Sequence, residues 1–582
     1  MRKCAGALAA LALVFVLGPA ATGAGSAQSN ADFAASYVGA HVTNVSATTQ
    51  KTSCYRPEVF YDGKLDANLG YPGGGSTACP GATTGEDEGP FDTQDVVNPS
   101  LLVKDRSESD IRVDPKDSHH LIGQSKWFVN AEGYNHLLGF YESFDGGSTW
   151  PVQGHVPGYE GWTDNTDPVG AFDPWGNFYS LVLAYNFYYS KSGGHVYNNG
   201  SNQVNPTVPP ETVAVSVHPH GATDAKAWIT KHNGQPDYVM TAKNANTSDP
   251  DKQWIAIDTN PASPCYRTVY AMYTVFVLNP SVIFVSTATA NQNGTHSDWT
   301  TPQELSTVNG KRWDSYLLPH VAPDGTVYTP VTNGPPKQGF SGADVNLISS
   351  SDCGKTWSKP LPIVNGINVP TYQNTTFREG IVDTFGLGSQ KINNHYPLYL
   401  AYEDGSAGVS NIWLTVSYDA GQNWMTPILV NDNAAPVDEL QPNLTVDATS
   451  GKVAVAFYDR RLNCPDRNTT AATRAGLSFD PNQPYGASNY CVNTAVQFFS
   501  PTLSPIGHNI RLSADTWDPQ LNAPHPGCIC SSGTFLGDYF GIDSDDDPAA
   551  PTLFTTSIST YNAAGENPSY YQQQVVAKVP IP

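Results

Sequence analysis

The sequence predicts an all-β protein, a β-propeller built from four-stranded blades. Three observations favour this fold: the composition, an octet that ends in tryptophan and recurs along the chain, and a strand–turn–strand pattern that recurs about once per blade. The 582 residues include 51 Gly, 46 Pro, 30 Tyr and 12 Trp, and only 14% of them are charged. Glycine and proline favour turns, whereas aromatic residues favour strands. The composition is therefore typical of short strands joined by tight turns.

The octet S-x-D-x-G-x-x-W occurs three times. It reads SFDGGSTW from Ser143, SSDCGKTW from Ser350 and SYDAGQNW from Ser417. Short serine and aspartate side chains bond nearby backbone amides and hold a tight turn, and glycine supplies the positive φ that the turn requires. The tryptophan begins the next strand, where its ring can pack against a neighbouring unit. Each octet is therefore predicted to form the corner of a β-hairpin.

A strand–turn–strand pattern, usually with Asp or Gly at the turn, recurs seven times. The seven occurrences are residues 111–122, 171–179, 254–270, 320–328, 380–401, 443–455 and 540–554. Each unit has room for about four strands, the size of one propeller blade. We therefore predict seven blades, with six as the alternative. The last unit has room for only three strands, so an N-terminal segment, residues 100–103, is expected to complete its sheet.

The N-terminus predicts export. Arg2 and Lys3 precede an apolar run and then small residues, the pattern of a signal peptide over residues 1–27. No stretch approaches the ~20 apolar residues of a membrane span, so we expect a secreted protein that is not transmembrane. Residues 28–107 are predicted to be an irregular extension tied down by a disulfide, and residues 108–582 to be the propeller.

The cysteines agree with export, because eight remain once the signal segment is removed. An even number is expected of an oxidised secreted protein. Cys54/Cys79 and Cys464/Cys491 would each close a short loop. The sequence leaves the pairing of four others open: Cys265, Cys353, Cys528 and Cys530.

Charge and motifs exclude some partners. The formal net charge is −23, and no stripe of Lys or Arg is visible, which excludes nucleic acid. No cofactor is expected. Structural Ca²⁺ is an alternative at an acidic run that lacks the ligand spacing of a calcium-binding loop, namely Asp543, Asp545, Asp546 and Asp547. Two histidine pairs are interpreted as surface residues at turns rather than metal ligands: His119 with His120, and His218 with His220.

The octets are similar to the Asp box, or BNR repeat. Together with the recurring aromatic strands, they make residues 109–582 resemble the sialidase-like superfamily of secreted β-propellers. The resemblance implies that the octet aspartates are structural and lie away from a central site. It also implies a glycoside hydrolase of sialidase type that acts on acidic sugars. Such an enzyme needs arginines for the substrate carboxylate, an acid for the leaving group, and a Tyr nucleophile activated by a Glu.

Residues on several predicted blades match these roles. The expected carboxylate-binding residues are Arg112, Arg378, Arg460 and Arg461. The expected catalytic residues are Tyr539 as nucleophile, Glu379 as its activator and Glu132 as the acid. Around Arg112 the chain has Ile-Arg-Val-Asp-Pro in place of the family's Phe/Tyr-Arg-Ile-Pro motif. The alternative interpretation is structural, with the arginines in inter-blade salt bridges and the tyrosine buried.

Two further functions remain open from the sequence. One is a polysaccharide lyase, in which Arg would neutralise a uronate beside a Tyr or His base. The other is a non-catalytic extracellular propeller that binds glycan or protein. For the sialidase-type hydrolase, the lyase and the binding propeller alike, we expect a monomer. For the two enzymes, the expected partner is a glycan or polysaccharide substrate.

Overall fold

The computed structural model describes the strand-forming core of the chain. It covers residues 27–39, 106–128, 136–156, 158–159, 164–185, 188–189, 195–196, 203–204, 209, 211–225, 227–230, 236–242, 249–276, 281–305, 313–334, 341–368, 370, 372, 377, 383–463, 489–519, 536–560 and 572–582. Within these residues the chain forms seven antiparallel sheets, a small three-stranded sheet and a single helix. The predicted closing strand, residues 100–103, lies outside them.

The first three blades follow one another along the chain. Blade 1 contains β1 (Arg106–Asp114), β2 (Asp117–Phe128), β3 (His136–Ser143) and β4 (Val152–His155). Blade 2 contains β5 (Asp164–Phe172), β6 (Phe178–Tyr185), β10 (Glu211–His218) and β11 (Asp237–Ala242). The small three-stranded sheet lies in the sequence between β6 and β10 and contains β7 (Tyr188–Tyr189), β8 (His195–Val196) and β9 (Gln203–Val204). Blade 3 contains β12 (Pro250–Ile257), β13 (Thr268–Val275), β14 (Val282–Thr289) and β15 (Gln303–Glu304).

The last four blades repeat the pattern. Blade 4 contains β16 (Trp313–Leu317), β17 (His320–Val321), β18 (Val327–Gly334), β19 (Ser341–Ser350) and β20 (Leu361–Asn368). Blade 5 contains β21 (Asp383–Leu387), β22 (Leu398–Asp404), β23 (Asn411–Ser417) and β24 (Ile428–Leu429). Blade 6 contains β25 (Glu439–Val446), β26 (Val453–Asp459), β27 (Asn493–Phe499) and β28 (Pro505–Arg511). Blade 7 contains three described strands, β29 (Gly541–Ser544), β30 (Thr552–Ser559) and β31 (Gln573–Pro580).

The first strand of each blade lies on the inside of a closed ring. These inner strands contact one another in the order β1, β5, β12, β16 with β17, β21, β25 and β29, and β29 contacts β1 again. Buried apolar clusters extend from blade to blade, for example from Val169 in blade 2 to Ile255 in blade 3. The prediction of an all-β propeller with seven blades is therefore confirmed, and the six-blade alternative is wrong.

The three octets form the same turn, between the last two strands of blades 1, 4 and 5. In each of them the glycine N–H donates to the serine Oγ over 2.9 Å. The aspartate Oδ1 accepts the N–H of the residue before the tryptophan at 2.7–2.9 Å. The first tryptophan, Trp150, packs with Phe554 and Val576 of blade 7. The octets are thus hairpin corners whose tryptophans pack against a neighbouring blade.

A disulfide joins blade 3 to blade 4. Cys265, in the turn after β12, pairs with Cys353 inside the second octet, which resolves a pairing that the sequence left open. Cys491 is disulfide-bonded as well, and its predicted partner Cys464 lies outside the described residues. The first link holds two neighbouring blades together at the end of the ring that carries the octets.

The N-terminal segment packs on the outside of blade 6. Helix α1 (Asn30–Ala35) lies against β28, and the buried Phe33 ring faces the Arg461 guanidinium at 4.1 Å. The described residues include no helix with the length and apolar character that a membrane crossing requires.

The ring closes through direct contact between the inner strands of blades 7 and 1. The backbone N–H of Val113 donates to the Asp543 carboxylate over 2.9 Å, and Arg112 donates to the Ile542 carbonyl over 3.3 Å. Gly541 lies so close to β1 that a Cβ placed on it would be 2.8 Å from the Asp110 Cα and would also meet the Ile111 nitrogen. A side chain at this position would separate the two blades.

We predict that Gly541→Ala lowers the free energy of unfolding by roughly 1–3 kcal/mol, the range typical of overpacked sites, because backbone atoms of β1 cannot move aside as a side chain would. Gly388→Ala is the control, since its nearest neighbours are side-chain atoms of Pro397 at 3.1 Å or more. Chemical denaturation of both variants measures the difference. Equal stability of Gly541→Ala and wild type would contradict this account of ring closure.

Candidate functional site

Five of the inner strands carry a β-bulge at the same place, at their third or fourth residue. The register with the second strand of the blade shifts there in blades 1, 2, 3, 4 and 6. The residues at these shifts have positive φ angles between 49° and 53°: Glu108, Asp167, Lys252, Tyr316 and Gln441. Such conformations cost of order 1–3 kcal/mol for residues other than glycine, and they cluster at functional sites. The repeated bulge marks one end of the ring, here called the mouth, as the candidate site.

The bulges point polar side chains toward one another across the mouth. The Lys252 ammonium lies 3.3 Å from Asp167 of blade 2 and 3.4 Å from Asp251 of its own blade, and it also contacts Asp538 of blade 7. Lys126 lies 3.5 Å from Glu108. Carboxylates from several blades therefore share two lysines in a buried cluster.

Glu108, Asp167 and Asp538 are the group that could hold a metal ion at the mouth, since one oxygen from each lies within 4.8 Å of the others. The Lys252 ammonium, however, already contacts Asp167 and Asp538. The lysine thus supplies the positive charge that a metal would otherwise bring to these carboxylates.

The pKa values of two neighbouring carboxyl groups of the cluster are shifted in opposite directions. Burial and the adjacent Asp167 charge raise the pKa of Glu108 well above its usual range. Burial alone would also raise the pKa of Asp167, but Lys252, Lys126 and a hydrogen bond with Glu108 hold it well below its usual range. Thr166 lies between them, and its hydroxyl donates a hydrogen bond to the Glu108 carboxyl group over 3.1 Å. The pair thus combines a carboxyl group that favours its protonated form with one that favours its ionised form.

The opposite side of the mouth carries a tyrosine–glutamate pair. The Tyr372 hydroxyl donates to the Glu403 carboxylate over 3.0 Å, and the Tyr372 ring stacks on Phe377 at 5.1 Å. Gln441 connects this pair to the acidic cluster: its backbone N–H donates to Glu403 over 3.3 Å, and its side chain donates to the Gly537 carbonyl over 2.6 Å. Gly537 in turn lies against the backbone of Glu108 in the acidic pair.

A cavity of about 270 Å³ lies along the ring axis, beside the halves of the inner strands that follow the bulges. The inner strands of all seven blades line it, with Arg112, Trp254, His320 and Asp543 among the lining residues.

Of the predicted arginines, Arg112 lines the cavity. It donates to the Gly170 carbonyl over 2.9 Å and pairs with Asp110 at 2.9 Å. It therefore contacts the inner strands of blades 1, 2 and 7.

Arg460 and Arg461 lie buried at the end of β26. Arg460 pairs with Asp438 at 3.0 Å, and Arg461 pairs with Asp459 at 2.7 Å and with Asp432 at 2.9 Å. Arg112, in contrast, contacts Asp110 and the carbonyls of Gly170 and Ile542. The carboxylate-binding role of Arg460 and Arg461 stays a prediction.

Tyr539 lies beside the acidic cluster, where its hydroxyl donates to the Pro168 carbonyl over 2.9 Å and its ring packs edge-on against Trp254. Burial, followed by the Glu108 and Asp167 charges, raises the pKa of this tyrosine well above its usual range. Its predicted role as nucleophile stays a prediction. The remaining predicted residues, Glu132, Arg378 and Glu379, lie outside the described residues.

The acidic run near the end of the chain takes part in turns. Asp543 accepts the Val113 N–H, Asp545 accepts the Thr552 N–H over 2.9 Å, and Asp546 accepts the Ala448 N–H over 2.8 Å. The alternative of structural Ca²⁺ at this run stays untested.

Sequence inspection missed Glu108, Asp167, Lys252 and the Tyr372–Glu403 pair. The aligned inner strands offered one signal, because a polar residue precedes each apolar stretch by a few positions. The bulge that turns these residues toward the axis has no sequence signature, and their partners lie on other blades.

No family model and no curated protein matches the chain. Among solved structures, it is similar to the intramolecular trans-sialidase from Ruminococcus gnavus, at 12% identity over 66% of this chain and 94% of that one, with a TM-score of 0.38. A leech intramolecular trans-sialidase gives 11% identity over 60% of this chain and 64% of that one, with a TM-score of 0.37. An α-L-arabinofuranosidase from Fusarium graminearum gives 11% identity over 82% and 93%, with a TM-score of 0.36.

The structural neighbours are thus sialidases and an arabinofuranosidase, at low identity. The chain spans less than two thirds of the leech enzyme's length. At these identities and TM-scores the neighbours carry no argument about residues or chemistry. The assignment of the fold rests on the chain's own seven sheets.

Asp383 gives the stability of the mouth a pH dependence. Its carboxyl group is fully buried at the start of β21, where it accepts a hydrogen bond from Thr332 over 2.5 Å, and burial raises its pKa to about 7. An unfolded aspartate has a pKa near ~3.9, so between these values the folded chain keeps a proton that the unfolded chain releases. Stability is therefore lost as the pH rises through this window.

We predict that Asp383→Asn removes this part of the pH dependence, because an amide keeps the Thr332 hydrogen bond and does not titrate. Urea denaturation between pH 4 and pH 8 should show wild-type stability falling more steeply than that of the variant, with the variant the more stable at pH 8. The exposed Asp117→Asn is the control. Parallel curves for wild type and Asp383→Asn would contradict the assignment.

Proposed function

We propose that the chain is a glycoside hydrolase whose reaction takes place at the mouth. The observation that carries the proposal is the hydrogen bond from the Tyr372 hydroxyl to Glu403, across the mouth from the Glu108–Asp167 pair. A tyrosine next to a carboxylate can be deprotonated as it attacks, and a protonated carboxyl group can donate to a leaving oxygen. These are the two roles that hydrolysis of a glycoside by a tyrosine nucleophile requires.

The proposed reaction has two steps. In the first, Glu403 takes the Tyr372 proton, the tyrosine oxygen bonds to the anomeric carbon, and the glycosidic bond breaks as Glu108 protonates the departing oxygen. In the second, Glu108, now a carboxylate, takes a proton from water, and the water oxygen replaces tyrosine on the anomeric carbon. Glu403 then returns the proton to Tyr372. Asp167 keeps its charge throughout and orients Glu108.

The charges at the mouth favour a neutral sugar as substrate. Lys252 and Arg460 each contact a resident carboxylate, so a substrate carboxylate would have to displace a resident one. A neutral sugar avoids this desolvation and repulsion, because hydroxyl groups can donate to the resident carboxylates. The acidic sugar implied by the family resemblance remains the alternative substrate class.

Secretion is part of the same proposal. The signal-like residues 1–27 support it, as does the disulfide between Cys265 and Cys353, because disulfides persist in oxidising compartments. We retain residues 28–107 as the extension, residues 108–582 as the propeller, and a monomer as the expected state.

The test is a release assay with a panel of fluorogenic neutral glycosides and one sialoside. We predict activity on a neutral glycoside that falls by about 10²-fold or more in Tyr372→Phe and in Glu108→Gln, since each removes a group that acts in the transition state. Tyr418→Phe is the matched control, because Tyr418 donates to the Pro501 carbonyl at the end of the ring that carries the octets.

A second arm distinguishes the two candidate tyrosines. Tyr539→Phe should keep most of the activity if Tyr372 is the nucleophile, and should abolish it if the prediction from the sequence is right. Release from the sialoside alone would overturn the neutral-sugar proposal. Two results would overturn hydrolysis at this site. One is that every variant keeps its activity on the glycans, and the other is cleavage that yields unsaturated uronate ends.

A further inference from the structure

A histidine cluster lies between blades 1 and 2, at the end of the ring opposite the mouth. Asp114 ends β1, His120 lies on β2, and His220 follows β10 in blade 2. The interpretation of these histidines as surface residues is wrong for His120 and His218, which are 3% and 1% exposed. Both face inward because the turns at this end fold over the seam between the two blades.

Three side chains of the cluster converge on one point. The Asp114 Oδ2 atom lies 2.8 Å from the His120 Nδ1 atom and 3.2 Å from the His220 Nδ1 atom. All three atoms lie within 4.8 Å of one another. A tetrahedral zinc ion with bonds of about 2.0–2.1 Å places its ligand atoms roughly 3.3 Å apart. The 3.2 Å between Asp114 and His220 matches that arrangement, and the 2.8 Å between Asp114 and His120 would lengthen by about 0.5 Å on binding.

The partners of His120 orient it as a ligand. Its Nε2 atom lies 2.7 Å from the Glu142 carboxylate, and the Phe144 ring stacks on it at 5.2 Å. A metal ion bound at Nδ1 would replace the proton there, and the remaining N–H at Nε2 would then donate to Glu142. A carboxylate that holds the outer nitrogen of a histidine is a regular feature of zinc sites.

Glu142 is itself held in a buried chain. Its second oxygen lies 3.7 Å from the His218 Nε2 atom, and neither atom has a hydrogen bond among the described residues. The chain of contacts therefore runs from His218 through Glu142 and His120 to Asp114.

Gly176 of blade 2 lies against two of these ligands. A Cβ placed on it would lie 2.5 Å from the Asp114 Oδ2 atom and would also meet the His220 Nδ1 atom, so a side chain here would push the ligands apart. The Asn177 side chain accepts the His220 backbone N–H over 3.0 Å and fixes the turn. The His220 side chain is 48% exposed, which leaves a path for the ion and a fourth position for water.

We propose that Asp114, His120 and His220 bind a Zn²⁺ ion that ties blade 1 to blade 2. Two imidazoles and one carboxylate favour zinc over calcium or magnesium, which prefer oxygen ligands alone. The site is separate from the mouth and does not depend on the function proposed there.

The test is calorimetric titration of the tag-free, full-length protein with Zn²⁺ after treatment with a chelator. We expect one Zn²⁺ per chain and a higher thermal midpoint with the metal. His220→Ala, which removes a half-exposed ligand, should weaken binding at least 10-fold and abolish the thermal shift. The neighbouring exposed His119→Ala is the matched control and should bind like wild type. Ca²⁺ should give neither heat nor thermal shift.

His220→Gln provides a second variant in case the alanine variant folds poorly, and circular dichroism checks both. Absence of Zn²⁺ uptake by the wild type would overturn the proposal and leave His120 as an imidazolium between two carboxylates. Uptake that His220→Ala and His220→Gln leave unchanged, or that His119→Ala removes equally, would overturn it as well.

Discussion

The contact of the Lys252 ammonium with carboxylates from three blades is the interaction on which the mouth depends. Asp167, Asp251 and Asp538 come from blades 2, 3 and 7, and their charges raise the pKa of Lys252 well above its usual range even though burial alone would lower it. Without a buried cation, these carboxylates could not all approach the axis in ionised form. The lysine also lowers the pKa of Asp167, and burial together with the Asp167 charge raises the pKa of Glu108. One side chain thus connects the closure of the ring with the proton donor at its mouth.

The backbone conformation of the inner strands also determines where these side chains lie. An inner strand with regular pairing would alternate its side chains between the two faces of the blade. The bulge at Glu108, Asp167 and Lys252 breaks this alternation and aims the side chains along the axis instead. The left-handed backbone of these residues is unfavourable, and the ion cluster offsets that cost. Strain and electrostatics therefore depend on each other at this end of the ring, whereas the octets at the other end are stabilised by ordinary local hydrogen bonds.

The sequence predicts the features that local chemistry determines and misses those that depend on the ring. The octets can be recognised because serine, aspartate and glycine within eight residues make the whole turn, and the seven inner strands because each is a short apolar run beside a turn. The Cys265–Cys353 disulfide, the Tyr372–Glu403 pair and the histidine cluster join segments that are neighbours only once the blades are in place. Arg460 and Arg461 show the same limit. Their residue type suits a carboxylate of a substrate, but the carboxylates that they contact belong to the protein, and two of these, Asp438 and Asp432, lie more than 20 residues away in the sequence.

The most direct test of this account is the free energy of unfolding of Lys252→Met, measured by chemical denaturation beside the exposed control Lys359→Met. Removal of one partner from a buried ion cluster typically costs about 3–5 kcal/mol, so a loss of this size is expected for Lys252→Met and almost none for the control. The double variant Lys252→Met/Asp538→Asn should recover part of the loss, because it also removes a carboxylate left without its cation. Stability of Lys252→Met equal to that of wild type would contradict the claim that this ammonium holds the mouth together.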